Sequence, residues 1–181
     1  MSVFYAFGFE RIGVVVGSLY FVDPNPGAGQ EGAERGVRLE VRLTTPGEPR
    51  GSIYAARPIT IERPLWRLDL LESVKSPPGS FDRTHHHPRF DGWEPCDRVF
   101  DVELSTDPLA WTADRLADFT ALLAASGVPP HELGPNDAAD LRAATPDIVD
   151  ATARLLARVH AGDLAQPPTD TPLTAARESW L

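Results

Sequence analysis

The chain has 181 residues, of which 42% are hydrophobic and 24% charged, and its formal net charge is -9. That size and balance suit a globular chain able to bury a core, and they exclude a collagen-like or charge-rich disordered one. An acidic chain without a basic stripe is a poor partner for nucleic-acid phosphates, and no apolar run approaches the length of a membrane span.

The start Met1-Ser2-Val3-Phe4-Tyr5 has neither the basic residues nor the cleavage site of a secretory signal. Cys96 is the only cysteine, so an internal disulfide is excluded and a cytoplasmic protein is expected. Lys75 is the only lysine, and with 18 prolines and many alanines this composition fits a GC-rich bacterial genome. The charge is uneven. Residues 1–103 carry 15 acids and 12 bases, against 11 acids and 5 bases in residues 104–181.

Phe4 to Phe9 predicts a first strand. Ile12 to Val22 is apolar on both parities, through Val14, Val15, Val16, Leu19, Tyr20 and Phe21, and predicts a central strand covered on both sides. A polar loop rich in glycine and proline runs from Asp23 to Gly36. Val37 to Leu43 then alternates strictly. Val37, Leu39, Val41 and Leu43 take one face and Arg38, Glu40 and Arg42 the other, the pattern of an antiparallel strand. Ser52 to Glu62 predicts a strand with Ile53, Ala55, Ile59 and Ile61 inward and Arg57 beside them, where an arginine needs a carboxylate or a ligand. Leu65 to Glu72 points Trp66, Leu68 and Leu70 one way and Arg67 and Asp69 the other. Arg98 to Leu104 is read as a strand with Asp101 and Glu103 outward.

Helical signals take over after that. Asp107-Pro108 opens a helix that Gly127 ends, with Leu109, Ala113, Leu116 and Leu123 at helical spacing. A short helix from Asn136 to Ala143 follows, then a second long one from Thr145-Pro146-Asp147 to about residue 161. Residues 163–170 read as a Pro/Thr/Asp connector within a C-terminal extension, 163–181, and Thr174 to Leu181 as a last helical turn. The expectation is one α+β domain spanning 1–181. Residues 1–104 form a mostly antiparallel sheet or partial barrel, and two long helices near 107–126 and 145–161 pack on it.

The candidate site is the run His85-His86-His87, which lies between Leu65–Glu72 and Arg98–Leu104. Imidazole titrates near neutrality and is the commonest metal ligand. On an extended segment His85 and His87 share a face, and a meander would set Asp69 on one side of them and Asp101 and Glu103 on the other. Two histidines with one carboxylate suit divalent iron, manganese or zinc. The expected metal set is therefore His85, His87, Asp101 and Glu103. The expected catalytic set is His85, His87, Asp69 and Arg67, with Arg57, Trp93 and Arg98 binding substrate. Phe81 has the same parity as His85 and His87, and if one strand held all three the pair would face the core.

His85-x-His87 followed by Glu94 is similar to part of the cupin metal motif. The spacing to Glu94 is longer, Pro88 and Pro95 intervene, and no second histidine motif follows, so that family is not assigned. The functional expectation is a small enzyme with a divalent-metal or histidine acid–base site acting on a small molecule. The alternatives are a non-catalytic ligand- or protein-binding module and a metal-free ribonuclease-type phosphodiesterase. Neither membrane nor nucleic acid is an expected partner, and a homodimer is left open.

Overall fold

A computed structural model describes residues 3–169 and 174–178. Five strands form an antiparallel meander in chain order: β1 (Phe4–Gly8), β2 (Ile12–Val22), β3 (Ala33–Pro46), β4 (Ile59–Ser73) and β5 (His85–His87). A two-strand hairpin follows, β6 (Phe90–Asp91) and β7 (Glu94–Pro95). The helices come next: α1 (Val102–Thr106), α2 (Pro108–Ala117), α3 (Phe119–Ser126) and α4 (Asp137–His160). A last short strand, β8 (Arg177–Glu178), pairs with β2 beyond the end of β1. The architecture is α+β, as the change from period two to period 3.6 implies.

The apolar row of β3 explains where the helices lie. Val37, Leu39 and Val41 align with Val16 and Val14 of β2 and with Leu70, Leu68 and Trp66 of β4. This face packs on Leu116, Phe119, Leu141, Ile148, Leu155 and Val159. Leu39 is fully buried there, and truncating such a leucine to alanine costs about 2–5 kcal/mol.

The other face of the sheet is what positions the site. Gly17, Arg38, Asp69 and His85 form one row across four strands, and Val15, Glu40, Arg67 and His87 form the next. Period two sends these charged side chains away from the helices, yet most of them are as buried as the apolar core. Arg38 is 6% exposed, and Glu40, Asp69 and His85 are 1% each. One glycine is needed for the close strand approach nearby. A Cβ on Gly36 would overlap the Leu70 carbonyl of β4.

Several sequence expectations give way here. Residues 51–58 are turn and coil. Ile53 and Tyr54 stand almost fully exposed, so the expected strand from Ser52 exists only from Ile59 onward, as the start of β4. Arg57 lies on this exposed loop and does not point inward.

Arg98–Leu104 is not a strand. Its single pairing is the bridge between Val99 and His86, and Asp101 ends the extended stretch by capping α1, accepting from the Glu103 amide at 2.8 Å. The expected 107–126 helix breaks at Asp118, whose side chain caps α3. In contrast, the short and long helices expected on either side of Pro146 are one continuous α4 with that proline inside. Arg177 and Glu178 pair as a strand where a helical turn was expected, and the rest of that expected turn falls partly outside the described residues.

Candidate metal centre

β5 brings the histidines to Asp69 by direct pairing: Arg67 lies opposite His87, Leu68 opposite His86 and Asp69 opposite His85. The parity question raised by Phe81 is answered by its backbone. Phe81 has φ 46, so alternation does not carry through it into the histidine run, and its ring packs against His160. His85 and His87 therefore face Asp69. His86 takes the helix side, between Trp66 and Trp111, with ring centroids 6.4 and 5.1 Å away.

Both imidazoles are held by their Nδ1 atoms. His85 Nδ1 lies 2.7 Å from the Arg83 carbonyl and His87 Nδ1 2.6 Å from the Cys96 carbonyl. A carbonyl oxygen only accepts, so each ring keeps its proton on Nδ1 and, when neutral, carries a lone pair on Nε2. The two Nε2 atoms converge on one carboxylate oxygen, Asp69 Oδ2, at 3.4 Å from His85 and 3.7 Å from His87. The three ligand atoms all lie within 4.8 Å of one another, a group that could hold a metal ion. Two ligand atoms each about 2.1 Å from a tetrahedral ion lie about 3.4 Å apart, so the two separations from Asp69 Oδ2 are close to those of a coordination shell.

Asp69 is also clamped from the opposite side. Arg38 donates from Nε to Oδ1 at 2.6 Å and from Nη2 to Oδ2 at 3.0 Å. A carboxylate has about four lone-pair directions, so this two-point bond leaves Oδ2 one that can face the histidines. Burial pushes the Asp69 carboxyl up, but the charge and the hydrogen bonds of Arg38, with His85 on the other side, outweigh it and hold the group well below its ordinary value. For His87, burial is the largest influence. It pushes the imidazole down to about 4 against the pull of Asp69. At neutral pH His87 is uncharged, and its Nε2 lone pair faces an ionised carboxylate.

Further charges line the same face. Glu40 accepts from Arg67 Nε at 2.6 Å and from Arg42 Nη1 at 2.7 Å. The β6–β7 hairpin supplies rings for both guanidinium groups: Arg67 lies over Phe90 at 5.0 Å and Arg42 over Trp93 at 5.4 Å. Arg98 pairs with Glu34 at 3.1 Å and Asp23 at 3.7 Å. Burial pushes the Glu34 carboxyl up against the influence of Arg98, and its Oε2 has no hydrogen-bond partner. An open depression of about 470 Å³ follows the hairpin, lined by Arg89, Phe90, Asp91, Glu94, Pro95 and Cys96.

Of the residues expected at the site, the structure brings together His85, His87, Asp69 and Arg67. Asp101 and Glu103 do not join them. Asp101 caps α1 and accepts from Trp111 Nε1 at 3.1 Å, and Glu103 is exposed in the first turn of that helix. The reason is local: an aspartate two residues before a backbone amide caps a helix more readily than it extends a strand. Arg57 is on the distant exposed loop, Trp93 is 59% exposed beside Arg42, and Arg98 belongs to an ion-pair cluster with Glu34.

The sequence sets Arg38, Glu40 and Arg42 on the face of β3 opposite its apolar row and assigns them no role at the site. The signal for Arg38 and Glu40 is that they meet Asp69 and Arg67 with opposite charge once β3 and β4 are set in register.

Comparison with protein-family models, with curated proteins and with solved structures gives no match. The site must be read from its own chemistry. Among the described residues, no helix is long and apolar enough to cross a membrane.

Proposed function

We propose that the protein is a small-molecule enzyme whose site is a divalent metal held by Asp69, His85 and His87. The observation that carries this reading is the arrangement of lone pairs. Both Nδ1 atoms are engaged by backbone carbonyls, and both Nε2 atoms meet on Asp69 Oδ2. The neutral imidazole nitrogen of His87 and the ionised carboxylate repel one another at 3.7 Å unless a cation lies between them. A proton is a poor candidate for His87, because burial holds that ring neutral well below pH 7. A metal ion resolves the conflict, and carbonyl-held Nδ1 atoms are the usual outer partners of metal-bound histidines.

The donor set also bears on which metal. Arg38 offsets the charge of Asp69, so the three ligands attract an ion mainly through imidazole coordination. That favours zinc or divalent iron over manganese. Such an ion, with a position open to substrate, would supply Lewis-acid activation or a bound hydroxide. The residues of this chain have the supporting work. The Arg83 and Cys96 carbonyls fix the ring tautomers, Arg38 orients Asp69, and the His86–Val99 bridge holds β5 against the following segment.

A second reading follows from the closure of the site, since Asp69 and His85 are each 1% exposed. In a non-catalytic module the same triad would act as a staple between β4 and β5. Cobalt(II) substitution separates the two. The enzyme reading expects a visible spectrum that shifts when azide is added, because one coordination position is open. A cobalt spectrum that ignores azide, with metal raising only the melting temperature, supports the staple. No uptake of cobalt(II) or zinc at all refutes both.

A further inference from the structure

We propose that Arg42 and Arg67 form a seat for an oxyanion beside the Asp69–His85–His87 group, and that it receives the carboxylate or phosphate of the substrate. The inference deepens the metal reading above, and its geometry stands on separate residues. Glu40 holds both guanidinium groups at once, Oε1 accepting from Arg67 Nε at 2.6 Å and Oε2 from Arg42 Nη1 at 2.7 Å. Arg42 Nε is tied to the Glu62 carbonyl at 2.8 Å.

These bonds leave one side of each fork unused. Among the described residues, neither Nη of Arg67 and not Nη2 of Arg42 has a hydrogen-bond partner, and none of them is a dry orphan. The Arg67 and Arg42 side chains are 15% and 11% exposed, so these donors reach the surface while their stems are fixed.

Three features make this more than an ordinary ion-pair network. The first is position. Arg67 is the cross-strand partner of His87 on the same face, their backbones about one strand spacing, roughly 5 Å, apart, so its guanidinium stands on the same side of the sheet as a candidate ligand. The second is stiffness, since Phe90 under Arg67 and Trp93 against Arg42 restrict guanidinium planes already pinned by Glu40. A planar fork held in advance suits two-point recognition of carboxylate or phosphate. The third is charge. On this part of the face three guanidinium groups, of Arg38, Arg42 and Arg67, meet two carboxylates, of Glu40 and Asp69. A divalent ion would enlarge that surplus. In a chain with net charge -9, a local excess of positive charge whose free donors reach the surface is a feature that an anionic ligand would complete.

The test is calorimetric titration of EDTA-treated protein at low ionic strength, with inorganic phosphate in one arm and succinate in the other. The seat is expected to bind at least one of them at a single site with Kd below about 10 mM. Preference for one probe names the group. Arg67→Met is expected to weaken that binding tenfold or more, and Arg42→Met several-fold. Arg67→Lys, which keeps the charge but not the fork, is expected to fall between wild type and Arg67→Met. If Arg67→Met does not fold, the comparison rests on Arg67→Lys and Arg42→Lys, each expected to weaken binding at least threefold.

Binding of neither probe, or equal binding by wild type and the folded variants, overturns the proposal. Because metal is absent from these titrations, failure of the metal reading is seen separately, by zinc titration of the same samples. Anion binding can stand while that reading falls.

Discussion

Replacing Asp69 with asparagine in metal-free protein is expected to lower stability by about 3–5 kcal/mol, the usual cost of removing one partner from a buried ion pair. The structure supplies the reasons for a figure of that size. The Arg38 side chain is 7% exposed, and two of its donors, at 2.6 and 3.0 Å, end on Asp69. Asparagine keeps the shape and one acceptor but removes the charge. The guanidinium is then left buried with Glu40 and Glu34 as its remaining charged company. One gain works in the opposite direction. The amide can donate to the neutral His87 Nε2 where the carboxylate repelled it, which places the net loss toward the lower end of the range.

For a chain of this length each kcal/mol corresponds to about 2–4 °C in Tm, so the melting point should fall by about 6–20 °C. Urea unfolding followed by circular dichroism, in EDTA, gives the free energy directly. The double variant Arg38→Met, Asp69→Leu should recover most of the loss, because no unpaired charge stays buried. A loss under about 1 kcal/mol for Asp69→Asn would refute the claim that this pair is desolvated and mutually dependent.

Other outcomes follow from the same geometry. In metal-free protein, stability should fall as pH drops from about 6.5 toward about 4. Unfolded His87 takes its proton near 6.5 and the folded ring only near 4, so the unfolded state binds more protons between those values. That window is worth roughly 3 kcal/mol and should flatten in His87→Gln unfolding curves taken across it, whereas the contribution of Asp69 is lost only below its ordinary value of 3.8. Gly36→Ala should cost at least about 2 kcal/mol in chemical unfolding, since its Cβ has no room against the Leu70 carbonyl. Asp101→Ala should cost about 1–2 kcal/mol, through the lost cap and the lost Trp111 partner, and leave zinc affinity unchanged. A large drop in zinc affinity there would restore Asp101 as a ligand.

Much of the fold is legible in the residues because hydrophobic period and burial agree. The strict alternation of Val37 to Leu43 and the two-sided apolar run of Ile12 to Val22 reappear as β3 and β2. Asp107-Pro108 and Gly127 bound the expected helical stretch. The misses occur where local chemistry competes with period. Ile53, Ile59 and Ile61 share a parity, but Pro49, Gly51 and Pro58 keep the first part of that segment out of the sheet. Phe100, Val102 and Leu104 alternate too, but Asp101 caps a helix.

At the site, the pairing of Asp69 with His85 and His87 is readable from chain order, because neighbouring antiparallel strands pair. The clamp by Arg38 and the bridge by Glu40 are not. They depend on the register between β3 and β4, which period alone does not set, and on burial of a face whose composition reads as solvated.

The central claim is that Asp69, His85 and His87 hold one metal ion. The most direct measurement is zinc titration of untagged, EDTA-treated protein by calorimetry, with elemental analysis of the reloaded sample. The account predicts one equivalent bound by the wild type and loss of that binding in both His85→Ala and His87→Ala, with the circular dichroism of the fold retained. A wild type that takes up no stoichiometric zinc, iron or manganese, or histidine variants that bind as well as the wild type, would contradict it.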